Sequence, residues 1–227
     1  MSVIEQEEAL KLYDAGADIY LITNFSSPMY VTERMEIERG PEHYQMSMTE
    51  LERFRNLEWE MQKYPQIQSL KEANLLLGTR RVFGIYQIRD DSPGENYAFM
   101  NMSFIESHGM QIKKEDYKLV YVGELSGNMS LDDIFERFNI DRPEDFRGHS
   151  LSVSDIVVLN DGEKVTAHFV DSISFEQLDS FLNLEEQVLS ELAYEVGERY
   201  FAIQRTEEGY DLSLIHISEP TRLALIS

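Results

Sequence analysis

The sequence predicts an α+β fold of mixed strands and short helices. A small N-terminal αβ module and a helical linker precede a larger domain. Three observations carry this expectation. Short apolar runs of strand length are interleaved with segments whose apolar residues recur at helical spacing. Several of those helical segments open on a Ser-x-x-acid or Ser-x-x-amide spacing, the signature of a reciprocally capped helix start. Asn160-Asp161-Gly162-Glu163 stands between two apolar runs as a hairpin turn.

Taken in order, Ser2-x-x-Glu5 predicts a helix with Ala9, Leu12 and Tyr13 on one face, ending at Asp14-Ala15-Gly16-Ala17. Asp18 to Ile22 reads as a strand, Asn24 to Pro28 as a turn and Met29-Tyr30-Val31 as the return strand. These form the module of residues 1–45. The linker, 46–78, opens on Ser47-x-x-Glu50. Met48, Leu51, Phe54, Leu57, Met61 and Tyr64 make a core-facing stripe that Pro65 stops. Trp59 lies off this stripe. A further apolar segment, Leu70 to Leu77, ends at Gly78.

The segment 79–184 is expected to fold as a unit. Val82 to Ile88 reads as a strand, Asp90 to Gly94 as a turn, Tyr97 to Met100 as the next strand and Ser103 to His108 as a short helix. Tyr117 to Glu124 alternates as a strand. Ser130-x-x-Asp133 caps a helix with Leu131, Ile134, Phe135 and Phe138 at i, i+3, i+4 and i+7. Ile156 to Leu159 and Val165 to Val170 are the arms of the hairpin. Ser174-x-x-Gln177 predicts a last helix bearing Phe175, Leu178, Phe181 and Leu182. Residues 185–211, with a tight hairpin over 193–203, read as the start of a β-meander.

The final stretch, Leu212 to Arg222, resembles a translated sequencing adapter. Residues 212–227 are therefore expected to be an artefact, with the natural protein running through Asp211 and beyond. On that reading His216 is no candidate for any site.

Composition narrows the function classes. The chain has 227 residues, 42% of them hydrophobic, a net charge of −22 and no cysteine. Disulfides and thiolate metal sites are excluded. Acid is spread through every segment, which disfavours nucleic acid and anionic membrane as direct partners. No stretch approaches the roughly 18 apolar residues of a membrane span, and the N-terminus lacks a signal peptide's pattern. The expected location is cytoplasmic.

The run from Asp141 to Asp155 is the most specific feature. It is dense in polar residues, yet leads straight into the apolar Ile156-Val157-Val158-Leu159. Together with Ile85-Tyr86-Gln87, the strand 117–124, Phe135-Glu136-Arg137-Phe138-Asn139, Pro143-x-Asp145-Phe146-x-Gly148-His149-Ser150-Leu151-Ser152-Val153-Ser154-Asp155 and the hairpin to Val170-Asp171, it resembles the YodL-like domain. That family has no established biochemical activity. The resemblance implies a place in conjugative and other mobile elements of gut Firmicutes. Near the N-terminus, Ala9-Leu10-x-Leu12-Tyr13-x-x-Gly16-Ala17-Asp18-Ile19-Tyr20-Leu21 resembles a small module of large polyvalent proteins of mobile elements.

Asp145, His149, Ser150, Ser152, Ser154 and Asp155 include the residue types of a hydrolase. A nucleophile needs its base in hydrogen-bond reach and an acid behind that base. Adjacent residues such as His149 and Ser150 rarely meet this geometry, and there is no Gly-x-Ser-x-Gly elbow. The structural reading is a polar turn in which Gly148 adopts an unusual backbone angle and Ser150, Ser152 and Asp155 bond nearby amides. Arg147 would pair with Asp145 or with the helix at 130–139, and Phe146 and Leu151 would point inward. His168-x-x-Asp171 with His149 fits no recognised metal spacing. No catalytic residue, metal or cofactor is therefore expected.

Arg142, Asp145, Arg147, His149, Ser150, Ser152 and Asp155 remain as a candidate contact surface. The leading expectation is a non-catalytic accessory protein of a mobile element, working through an unidentified protein partner. The alternatives are an acidic antirestriction-type DNA-mimic decoy, which needs a continuous acidic ridge, and a cryptic hydrolase using the 145–155 loop.

Overall fold

The computed structural model describes residues 1–22, 28–184, 194–196, 199–206 and 209–215. The order opens with β1 (Ser2–Glu5), α1 (Gln6–Asp14), β2 (Tyr20–Leu21), β3 (Met29–Tyr30), α2 (Arg34–Glu38) and β4 (His43–Met46). Two linking helices follow, α3 (Met48–Met61) and α4 (Leu70–Leu76). Next come β5 (Val82–Ile88), α5 (Met102–Ser107), β6 (Tyr117–Glu124), α6 (Leu131–Ile140), β7 (Ile156–Asn160), β8 (Val165–Val170) and β9 (Phe175–Gln177). The chain mixes helices with antiparallel sheets, as an α+β fold requires.

Residues 1–186 make one compact unit. The remaining 187–227 form a second unit, whose β10 (Tyr194–Val196), β11 (Arg199–Thr206) and β12 (Gly209–Ile215) pair antiparallel in that order. Strand β12 continues through Leu212, which pairs with Ile203. The predicted turn at Asn24 lies outside the described residues.

In the N-terminal module the sheet order is β1-β4-β2-β3. Here one expectation is corrected. Ser2–Glu5 is not the start of a helix but an edge strand, with Val3 opposite Gln45 and Ile4 opposite Tyr44. The helix begins at Gln6, with Glu5 as its N-cap. Pairing satisfies the backbone over four residues and buries Ile4, and the short capping spacing offers less. Ala9 and Leu12 are buried as the periodicity implied, and so are Leu51, Phe54 and Leu57 of α3.

The larger sheet has the order β6-β5-β7-β8-β9. Strand β5 is buried on both faces, and its side chains alternate between two apolar layers. Phe83 and Ile85 meet Ile134 and Phe138 of α6 in one layer. Val82 and Tyr86 join a second layer with α4, Ile156, Val158, Phe169 and Phe181. Gly84 allows α4 to approach, because a Cβ there would lie 2.2 Å from Leu75 Cδ2.

Polar contacts fix the same helix. Glu72, on α4, is buried and accepts from Tyr86 Oη at 2.8 Å and from Lys114 Nζ at 2.5 Å. Asn160 Nδ2 donates to the carbonyls of Leu75 and Gly78, both at 2.8 Å, and so satisfies the helix's C-terminal end. Arg80 donates to Gly16 O at 2.7 Å and pairs with Asp18 and Glu50. The second apolar layer runs unbroken from Ile4 to Phe181, across the junctions near residues 45 and 78.

Two further expectations are corrected. Tyr97–Met100 is not a strand. Pro93–Tyr97 is a 3-10 turn, and Phe99 takes a left-handed conformation at φ 62°. Nor is Ser174–Leu182 a capped helix. Phe175–Gln177 becomes β9 on the open edge of β8, with Phe169 opposite Glu176, and a 3-10 turn covers Asp179–Leu182. The edge of β8 offers a ladder that a short helix cannot match. Strand geometry also sends Phe175 to the layer with Phe135, whereas Phe181 packs edge-on against Tyr86 and Tyr117.

The contribution of α4 can be measured. A chain spanning 66–184 should melt cooperatively and at a higher temperature than one spanning 79–184, which lacks Leu75 over Gly84 and the Glu72–Lys114 pair. Equal melting temperatures would show that the sheet does not need this helix.

Candidate functional site

The segment 141–155 leaves α6 and returns to the sheet under tight local control. Phe146 N donates to Pro143 O at 3.0 Å, closing a turn. The Phe146 ring is buried, 4.9 Å from Phe138 and 6.0 Å from Tyr121 between centroids. Leu151 is also buried, and its carbonyl accepts from Asn139 Nδ2 at 3.0 Å. Both apolar anchors therefore point inward, as expected from the sequence.

Gly148 is needed for a close approach rather than for an unusual angle. A Cβ there would lie 2.3 Å from Gln87 Oε1 and 2.7 Å from Phe146 Cζ. Into that space comes the Gln87 carboxamide, which grips the backbone of His149 from both sides. Its Oε1 accepts from His149 N at 3.1 Å, and its Nε2 donates to His149 O at 2.9 Å. The second Nε2 hydrogen goes to Asp155 Oδ2 at 3.0 Å, which also accepts from Ser152 N at 2.9 Å. With both amide hydrogens so used, His149 Nδ1 is left to carry its own proton and donate to Ser150 O at 2.8 Å.

The left-handed residue of this loop is Ser154, at φ 76°. It is buried, and every polar group of its backbone and side chain is used. Its N donates to Val170 O at 2.9 Å, its carbonyl accepts from Tyr117 Oη at 2.9 Å, and its Oγ accepts from Phe99 N at 2.8 Å. Two non-glycine residues in left-handed conformations are thus joined by one hydrogen bond. Phe99 itself is 63% exposed, with its ring 5.5 Å from the His149 ring.

Of the seven expected contact residues, Arg142, Asp145, Arg147 and His149 are exposed, and Ser150 and Ser152 are half-buried. Asp155 is corrected: at 2% exposure it lies under the surface and supports it. Arg147 also differs from expectation. Its guanidinium donates to Glu144 O at 2.6 Å, within its own turn. Gln87 and Phe99 were not anticipated as site residues, and Ser154 was weighed only among the residue types of a hydrolase. Gln87 had a legible signal, as the one amide in a strand otherwise apolar from Val82 to Ile88. Phe99 had none, because its exposure follows from a backbone angle set by a residue 55 positions away.

Among the described residues no serine hydroxyl meets the His149 ring. The described polar contacts of the His149 ring run through Nδ1 to the Ser150 carbonyl, Gln87 and Asp155, the last at 3.7 Å. Ser152 Oγ donates to Ser150 O at 2.7 Å. His168 Nε2 meets Thr166 Oγ1 of its own strand at 2.9 Å. Among the described residues no group of three His, Asp or Glu side chains could hold a metal ion, and no helix is long and apolar enough to cross a membrane.

Burial pushes the Asp155 carboxyl up to about 7, against the opposing effects of His149 and of the Ser152 and Gln87 hydrogen bonds. A raised carboxyl stabilises the fold at low pH, fully so below its unfolded value, and that contribution is lost as pH rises through about 7. Asp155→Asn keeps an acceptor for Ser152 and Gln87. Urea denaturation at pH 5 to 8 should show the wild type losing stability relative to this variant as pH increases. A constant difference across the window would reject the assignment. Phe146→Ala should cost about 3–5 kcal/mol by the same method, since the ring is buried between Phe138 and Tyr121.

No curated protein and no solved structure matches the chain. The family comparison falls on the segment from β5 to the turn that holds Phe181, and it includes every residue of the 141–155 loop. Residues 82–181, less than half of the chain, match the model of the YodL-like domain.

Proposed function

We propose that this chain is a non-catalytic accessory protein of a mobile genetic element, working through a protein contact centred on Phe99 and His149. The observation that carries the reading is Phe99 itself. A large aromatic side chain is held in solvent on a left-handed backbone, and a buried serine hydroxyl keeps it there. Such a conformation costs on the order of 1–3 kcal/mol and gathers at binding and switch sites. Aromatic residues and arginines dominate the energetics of protein contacts. Met100, 39% exposed, follows Phe99, and the exposed Arg142, Asp145 and Arg147 belong to the loop that carries His149.

The frame beneath is built to hold one shape. The Gln87 clamp, the Phe146 and Leu151 anchors and the Asp155 carboxylate fix the loop before any partner arrives, which lowers the ordering cost of association. The setting in a mobile element rests on the resemblance of the YodL-like segment. The partner is expected to be a protein rather than nucleic acid or membrane, in keeping with the net charge of −22.

Phe99→Gly is the informative variant, because glycine accepts the left-handed angle while the ring is lost. A protein captured by the wild type from cells carrying the source element would be purified and titrated against both forms. The variant should bind at least tenfold more weakly, about 1.4 kcal/mol, with an unchanged melting temperature. Equal affinity for the wild type, Phe99→Gly and Arg147→Glu would reject this surface.

A further inference from the structure

A cleft of 380 Å³ opens beside the 3-10 turn Pro93–Tyr97, and among its lining residues is a carboxylate with no ion-pair partner among the described residues. Asp116 is only 6% exposed. Its Oδ2 accepts from Tyr97 Oη at 3.0 Å, and its Oδ1 takes no hydrogen bond from the described residues. The nearby lysines on either side in sequence are engaged elsewhere, Lys114 with Glu72 and Lys118 with Asp90. Lys113 lines the same cleft but stands outside ion-pair distance. The Asp116 Oδ1 is not sealed from water, so it is open to a donor that enters the cleft.

We propose that this cleft is a binding site for an alkyl-ammonium or alkyl-guanidinium group, with Asp116 as its counter-ion. The remaining walls suit such a ligand. Pro93 and Met110 line the cleft and offer accessible apolar surface to an alkyl stem. Gln111 and Asn96 stand at the cleft with carboxamides, and the Asn96 Nδ2 is already turned to Pro93 O at 3.0 Å. Tyr97 holds Asp116 in place through its hydroxyl, so the anion is oriented before a ligand enters. A guanidinium would add a second N–H to a free lone pair, and an amine would supply one point charge. The site is independent of the Phe99 surface and does not rest on the reading of it.

The test is titration of the full chain by calorimetry in about 0.15 M salt, where long-range attraction to an acidic protein is screened beyond roughly 8 Å. The probes are agmatine, a Gly-Arg-Gly peptide blocked at both ends, and N-butylurea as an uncharged analogue. One saturable site is expected for the two cations and none for the urea. Asp116→Asn should weaken cation binding at least tenfold. Should that variant fail to fold, Gln111→Trp decides, because Gln111 is exposed and a bulky ring there should close the mouth. A peptide bound more tightly than agmatine would assign the group to a protein side chain, and the reverse to a free polyamine; either supports the site. Unchanged affinity in folded Asp116→Asn, or in Gln111→Trp, would overturn it.

Discussion

The whole arrangement depends on strand β5 being covered from both sides. An antiparallel strand can leave one face to water, but β5 alternates into two apolar layers, so each face needs its own helix. Helix α6 covers one face through Ile134 and Phe138. Helix α4, which precedes the YodL-like segment, covers the other through Leu75. The loop 141–155 is a by-product of this requirement. Having crossed one face as α6, the chain must return to β7 beside β5, and it does so over the end of β5 where Gln87 waits. The site is therefore set by the sheet rather than by its own polar residues.

The same constraint explains how local strain is tolerated. Ser154 and Phe99 both occupy left-handed backbone, and neither gains from it locally. Ser154 is fixed by Val170, Tyr117 and Phe99 at once, so three separate segments agree on its conformation. Over-determination of this kind is what lets an unfavourable angle persist. The exposure of Phe99 is thus a property of the assembled sheet, and no residue near it in sequence dictates it.

Legibility followed the same division. The helices α3 and α6, the strands β5, β6, β7 and β8, and the inward anchors Phe146 and Leu151 could be read because their signals are local: periodicity, caps and a hairpin turn. Ser2–Glu5 and Phe175–Gln177 were misread for one reason. Each carries a capping spacing, yet each lies against an open strand edge, and the ladder offered by a distant strand outweighed the cap. The candidate site was half legible. Its polar loop residues announced themselves, but which of them face solvent depends on Gln87, contributed by a strand some sixty residues earlier. Asp155 is held under the surface by that contact together with the nearby Ser152 amide.

The bond from Asn160 to the end of α4 spans 85 positions of sequence. During synthesis α4 and β5 emerge well before β7, so the layer that Leu75 and Tyr86 belong to stays open while more than a third of the chain is made. Contacts of such separation close slowly, and apolar strands left waiting are prone to pair with other chains. Glycine at position 84 and charges on Glu72 and Lys114 sit in that open layer. The close approach at Gly84 and the Glu72–Lys114 pair favour one seat for a nascent α4, which disfavours wrong pairings before the ribosome has delivered the rest.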